Sequence, residues 1–359
     1  MGSESWKADD VLTEIISICL APDAEFGSRL SDWEKKHPID IIEGGLLRFI
    51  PFIYRRIVDL KIEARDYNIM RGAYYKSWWY QTVFQKENVE FLESVGVGFP
   101  FFALLKGVAL QNSVYGNDPR TRPCDDVDIL VSPQERMKAV EYLFAQGFQL
   151  DSVYTLPYVM NFRKSAPFIK DKLSVDLNWG VYEYAKNPDY FLDLTFQEIT
   201  INHKSFSILS DTDNLIHTFL HGSGWNSVPS TRWILDAALL ILRGEIDWDK
   251  FTQRVIDNGW QTPMIEQIEY LEEFGVYIPG SAKKALVENG RDFMGKAMYT
   301  YQRQPSLIAR RILRLLYSDF LTYTTVNNRK RSIWSYVTIE SKILKSFIEE
   351  YLRAKRKAQ

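Results

Sequence analysis

Two aspartates one residue apart, Asp126 and Asp128, open the apolar run Ile129-Leu130-Val131. In an extended strand, residues i and i+2 project to the same side. Asp126 and Asp128 therefore face one way, and Val127 and Ile129 the other. Two carboxylates side by side at the mouth of an apolar strand repel each other, and each resists burial without a partner. A divalent cation relieves both costs. Mg²⁺ takes oxygen ligands, commonly one or two carboxylates completed by substrate phosphates and water. Two such ions about 3.5–4 Å apart clamp the attacking and leaving oxygens of a phosphoryl displacement.

Upstream, Pro100 leads into the apolar segment 101–105, which reads as a strand and ends at Lys106-Gly107. Residues 107–115 suit a short helix, and Gly116-Asn117-Asp118-Pro119 signals a loop carrying Arg120 and Arg122 beyond it. Downstream, Ser132-Pro133 with Glu135 starts a helix that stops at Gly147. Residues 148–154, 159–164 and 172–179 have strand character, with 165–171 as a hairpin turn, and 206–209 adds one more strand. The flanks read differently. Helical spacing covers 8–20, 28–36, 39–60 and 65–94 on one side. On the other it covers 211–221, 233–243, 247–258, 263–273, 281–296, 305–321 and 332–354. The aromatics of 65–94 (Tyr67, Tyr74, Tyr75, Trp78, Trp79, Tyr80, Phe84, Phe91) are expected to form a core face of one long helix. The organisation expected is α+β: a helical region over 1–96, a mixed α/β core over 97–210 and a helical domain over 211–359.

Strand, tight turn, short helix and then an Asp-x-Asp strand resembles the polymerase-β-like nucleotidyltransferase core. The resemblance is sharpest to a family of uncharacterised bacterial nucleotidyltransferases, on Leu104-Leu105-Lys106-Gly107, Arg122 and Asp126-Val127-Asp128-Ile129-Leu130-Val131. It extends to Val175-Asp176-Leu177-Asn178-Trp179, to Leu215-Ile216-His217 through His221, and to Arg232-Trp233-Ile234-Leu235-Asp236. It implies that Asp126 and Asp128 ligate Mg²⁺, for which Mn²⁺ can substitute. Asp176 is then the third carboxylate, a metal ligand and base toward the acceptor hydroxyl. Lys106, Gly107 and Arg122 would grip nucleotide phosphates. Trp179, His217, His221, Arg232 and Asp236 would border an acceptor pocket, with Tyr182, Tyr184, Trp225 and Trp233 as further aromatic lining. Two departures stand out: Lys-Gly replaces the superfamily's Gly-Ser at the turn, and Asn178 replaces the family's His.

The implied activity is transfer of a nucleotidyl group from an NTP such as ATP to a hydroxyl or phosphate of a small-molecule or peptide acceptor. The family's association with natural-product and modified-peptide biosynthesis favours such acceptors over long nucleic acid. Transfer of a sugar from a nucleotide sugar, or nucleotide binding without turnover, are the alternatives. Simpler readings compete at several positions. Arg120 reads as a surface residue, and Arg232 with Asp236 as an intrahelical i, i+4 ion pair. His217 and His221 share a helix face, but no Glu follows His217 to complete a zinc motif. The basic residues 329–331 and the tail from Arg353 read as solvated charge. The net charge of −2 supplies no global field toward polyanions. Two cysteines imply no disulfide framework, no run approaches the ~18 apolar residues of a membrane span, and a reducing cytoplasm is the expected setting.

Overall fold

A computed structural model of the chain describes residues 7–37, 45–99, 101–116, 118–152, 154–182, 185, 190–222 and 231–289. Four helices come first: α1 (Asp10–Cys19), α2 (Asp23–Lys36), α3 (Ile50–Leu60) and α4 (Tyr67–Gly98). Asp9 caps α1 by accepting from the Leu12 amide at 2.8 Å. Strand β1 (Ala103–Leu105) passes directly into α5 (Lys106–Gln111). Then follow β2 (Val127–Leu130), α6 (Arg136–Ala145), β3 (Gln149–Leu150), α7 (Leu156–Phe162), β4 (Ser165–Lys170) and β5 (Leu173–Asn178). The hairpin β6 (Phe196–Ile201) and β7 (Lys204–Leu209) closes the sheet. Helices α8 (Asp211–Gly222), α9 (Arg232–Arg243), α10 (Trp248–Asn258), α11 (Gln261–Glu272) and α12 (Gly280–Glu288) complete the described chain.

The strands form one mixed sheet in the order β3-β4-β5-β2-β1-β7-β6. Strand β1 runs antiparallel to β2, with Leu105 opposite Asp128, while β2 and β5 are parallel, with Asp128 opposite Asp176. Alternation along these strands divides two apolar cores. Ala103, Leu105 and Leu130 join a cluster with α1–α3 and α8–α11, so helices from both flanks of the sequence share one interior. Leu104, Val127, Ile129, Val175 and Leu177 join the other, built with α4 and α6. A one-residue slip of β2 would exchange these faces.

Several expectations fail here. Residues 156–162 form a helix with a proline in its first turn, where 159–164 was expected as a strand. So short an apolar run cannot be assigned by periodicity. The expected hairpin turn at 165–171 is strand β4; the turn itself is Asp171-Lys172, with Asp171 at φ +53°. Strand β6 was not anticipated, although Asn202 and His203, both at positive φ, make the two-residue hairpin turn such strands use. The aromatic face of α4 is only half right. Tyr74, Phe84 and Phe91 are buried, but Tyr75, Trp78, Trp79 and Tyr80 are exposed. Three consecutive aromatics at about 100° per residue cannot share one face. The expected helices at 305–321 and 332–354, residues 39–44 of the expected 39–60 helix, 290–296 of the expected 281–296 helix, and the basic C-terminal residues lie outside the described residues.

Candidate active site

The strand register brings three charged residues to one end of the central strands. Asp128 begins β2 within one residue of the strand mouth, and Asp176 lies beside it on β5. Lys106 follows β1 immediately, next to the Leu105–Asp128 pair. Its Nζ lies 2.5 Å from Asp128 Oδ1 and 3.7 Å from Asp176 Oδ2. Asn178, two residues past Asp176 and so on the same face, donates to the Asp176 carbonyl at 2.8 Å and approaches Asp128 Oδ1 at 3.5 Å. The residue that departs from the family's His is thus a neighbour of the acid pair.

Burial governs the electrostatics. Asp128 is 1% exposed, and desolvation raises its pKa to about 6, with Asp126 and Asp176 adding to the rise and Lys106 opposing it. Asp176 is also raised, first by burial, yet its side chain keeps 30% exposure. Burial alone would lower the Lys106 pKa; the acids beside it outweigh that and hold it above the ordinary lysine value. Lys106 adopts φ +44°, a left-handed backbone rare outside glycine.

The segment joining α5 to β2 is tied down on both sides. Gln81 of α4 donates to the Cys124 carbonyl at 2.8 Å, and Gln111 of α5 to the Arg122 carbonyl at 3.0 Å. Gly107 packs so closely that a Cβ there would lie 2.8 Å from Cys124 Cβ. Arg122 is buried and forms a two-pronged pair with Asp236 of α9, Nε to Oδ1 at 2.8 Å and Nη2 to Oδ2 at 2.7 Å. The Tyr115 hydroxyl adds a third donor at 2.6 Å. The expected Arg232–Asp236 intrahelical pair is therefore not made. Asp236 is committed to Arg122, and Arg232 donates to the Pro123 carbonyl instead. Burial, then the nearby Arg122, lowers the Arg232 pKa to about 10. Arg120 pairs with Asp118 and is only partly exposed.

These groups border a cleft of about 590 Å³. Asp125, Asp126, Asp128, Asp176, Lys106 and Ser174 form its acidic side. Helix α8 lines it with Asn214, His217, Thr218 and His221, spaced i, i+3, i+4 and i+7. Arg232, Trp233 and Asp236 contribute from α9, and Arg48 from the turn before α3. His217 is 4% exposed, and desolvation drives its pKa well below the ordinary value, so the ring is neutral. Trp179 is not in the cleft. It is 1% exposed in the opposite core, with Nε1 donating to the Arg163 carbonyl at 2.8 Å. Its odd position after Asp176 and Asn178 dictates this, because side chains alternate across the sheet. Tyr182 is likewise buried, bonded to Asp213, and Tyr184 and Trp225 lie outside the described residues. Sequence reasoning missed Arg48, Asn214, Thr218 and Ser174. The spacing of His217 and His221 could have supplied Asn214 and Thr218; nothing local marked Arg48.

The model of a family described as uncharacterised nucleotidyltransferases matches residues 51–275, a span from α3 through α11 that holds every named cleft residue except Arg48. The chain belongs to that family. Membership makes it an enzyme of the nucleotidyltransferase type, built on an α+β fold around the mixed sheet described above. Among solved structures, it is similar at 16% identity to an antigenic nucleotidyltransferase-like protein from Paracoccidioides brasiliensis. That match covers 52% of this chain and 84% of the other, with a TM-score of 0.33. No curated protein matches the chain. No helix among the described residues is long and apolar enough to cross a membrane.

The donor set suits a hard cation: the acidic side of the cleft offers carboxylate oxygens at Asp126, Asp128 and Asp176, while burial pushes the neighbouring Cys124 thiol up to about 12 and its Sγ donates to Gln81. Among the described residues no three His, Cys, Asp or Glu side chains form a ready cage. An ion held by these carboxylates would have to complete its shell with substrate oxygens and water, the habit of Mg²⁺.

Proposed function

We propose that this enzyme transfers a nucleotidyl group from an NTP, ATP among the candidates, to a hydroxyl or phosphate of a small-molecule or peptide acceptor, using Mg²⁺ or Mn²⁺. The observation that carries the proposal is the pairing of Asp128 with Asp176 across parallel strands, with Asp126 at the rim of the same cleft. A bound Mg²⁺ would supply Lewis-acid stabilisation of phosphate charge at these carboxylates. The volume of the cleft falls in the range of small-molecule sites.

The chain's own residues divide the remaining work. Asp176, the more exposed of the paired acids, is the base placed to take a proton from an acceptor hydroxyl. Arg232 and Arg48, in the lining of the same cleft, offset negative charge on the polyphosphate or on an anionic acceptor. Neutral His217, with His221, offers hydrogen bonds without adding a full charge. Arg122 acts by holding the 122–124 segment against α9 rather than by reaching a phosphate, since Asp236 occupies its guanidinium. In this reading the α/β core over 97–210 carries the donor, and the helices that follow carry the acceptor.

The test is a thermal-shift screen of NTPs and nucleotide sugars with and without Mg²⁺. A ligand that binds the folded state raises its stability by mass action. An NTP that stabilises only with Mg²⁺ is the expected hit. Stabilisation by nucleotide sugars alone would replace nucleotidyl with glycosyl transfer, and Mg²⁺-independent binding would remove the metal from the site.

A further inference from the structure

The acid cluster already contains a cation. Lys106 Nζ sits between Asp128 and Asp176, at 2.5 and 3.7 Å, where two neighbouring carboxylates most need positive charge. The sequence alone suggested that only an external ion could reconcile these acids, yet the fold supplies one covalently. Asn178 adds a neutral donor to Asp128, while Asp126 makes no hydrogen bond or ion pair among the described residues.

Two further features show that this is a built arrangement. Lys106 holds a left-handed backbone at φ +44°, a conformation that costs a non-glycine residue roughly 1–3 kcal/mol. Glycine would avoid that cost, but it would also remove the ammonium. The following residue, Gly107, fits against Cys124 only because it lacks a side chain, which fixes where the turn can lie. The turn thus aims the lysine back across the end of β2 instead of out to solvent.

Charge then limits what else the site can take. The ammonium offsets charge on the Asp128–Asp176 pair and fills the gap between them, which leaves Asp126 and its neighbour Asp125 as the acids of the cleft toward which an added cation can turn. We propose that Lys106 is a resident monovalent cation standing in for a second metal, so that the site takes one divalent ion, on the Asp126 side, while the ammonium remains between Asp128 and Asp176. This rests on the metal-dependent reading given above and adds to it a stoichiometry and a positioning residue. The lysine keeps the acid pair at close range before any ligand arrives.

Mn²⁺ alone is the probe, titrated into the full-length chain, with free Mn²⁺ read by electron paramagnetic resonance and folding by thermal shift. The wild type is expected to bind one Mn²⁺, and so is Lys106→Arg, which keeps the charge. Lys106→Met, which removes the charge, is expected to bind two. Lys106→Gly removes it too and also relieves the backbone, so it keeps the test alive if the methionine variant does not fold. Two ions in the wild type would mean that the lysine is displaced, and would overturn the inference. So would an unchanged count in both neutral variants, or binding that appears only when the lysine is gone. In all three cases the metal-dependent reading survives. No Mn²⁺ bound by any variant would overturn both.

Discussion

Arg122 and Asp236 lie 114 residues apart in sequence and meet in the buried wall of the cleft through two bonds, at 2.8 and 2.7 Å. One belongs to the segment that delivers Asp126 and Asp128; the other belongs to α9. The pair therefore ties the acid-bearing strand to the helix that carries Arg232. Removing one partner of a buried, two-pronged pair leaves the other charged and unpaired, at a cost of about 3–5 kcal/mol. Asp236→Asn and Arg122→Gln should each lose stability in that range by denaturant unfolding. Tyr115→Phe, which removes one donor to the same carboxylate, should lose only about 0.5–1.5 kcal/mol. Equal losses in all three would show that the charge pair has no special weight.

Asp128→Asn should behave differently. The fold raises the pKa of this carboxyl to about 6, chiefly by desolvation, so at neutral pH it resists the charge that the site uses. The asparagine variant should unfold near the wild-type temperature yet lose Mg²⁺-dependent stabilisation by nucleotide. Asp176→Asn should retain nucleotide affinity and lose turnover. A variant of Asp128 with full metal-dependent response would remove this residue from the site.

His217 gives the pH dependence. Its pKa in the fold is far below the ordinary value of about 6.5, so the unfolded chain binds a proton there that the folded chain does not. The linkage sign follows: its contribution to stability is present above about pH 6.5 and fades as pH falls below it, by up to about 1.4 kcal/mol per unit. His217→Gln should flatten the stability profile between pH 7 and 5 by that amount. A ring NMR titration of His217 should give a midpoint below that of an unfolded-chain histidine; a midpoint at or above it would contradict the buried setting.

Gly107→Ala places a methyl 2.8 Å from Cys124 Cβ, closer than carbon atoms pack. Overpacking of this kind costs about 1–3 kcal/mol. The loss should appear in the melting temperature, and Cys124→Ala, which removes the opposing sulfur while keeping Cβ, should not restore it.

Arg232 carries a charge that burial and Arg122 both disfavour. Arg232→Gln should therefore hold or raise thermal stability while weakening nucleotide binding at least tenfold in calorimetric titration. Lower stability with unchanged affinity would assign Arg232 to the scaffold alone.

Much of this molecule was legible from local pattern. The Asp126-Val127-Asp128 strand, the Lys106-Gly107 turn, the strand bearing Asp176 and the helices from α8 to α11 follow from alternation and helical spacing, which depend only on neighbours in sequence. Chain order could not say that Asp128 and Asp176 stand opposite each other; strand register sets that. Nor could it give Asp236 to Arg122 instead of Arg232, since a partner 114 residues away outcompeted one a single turn along the helix. Trp179 resembles a pocket residue until the sheet acquires two faces, and then parity sends it to the far core. The sequence alone determined which residues carry charge and which strands and turns they occupy. The tertiary structure decided which charges meet, because burial and distance, on which electrostatic pairing depends, exist only once the chain has closed on itself.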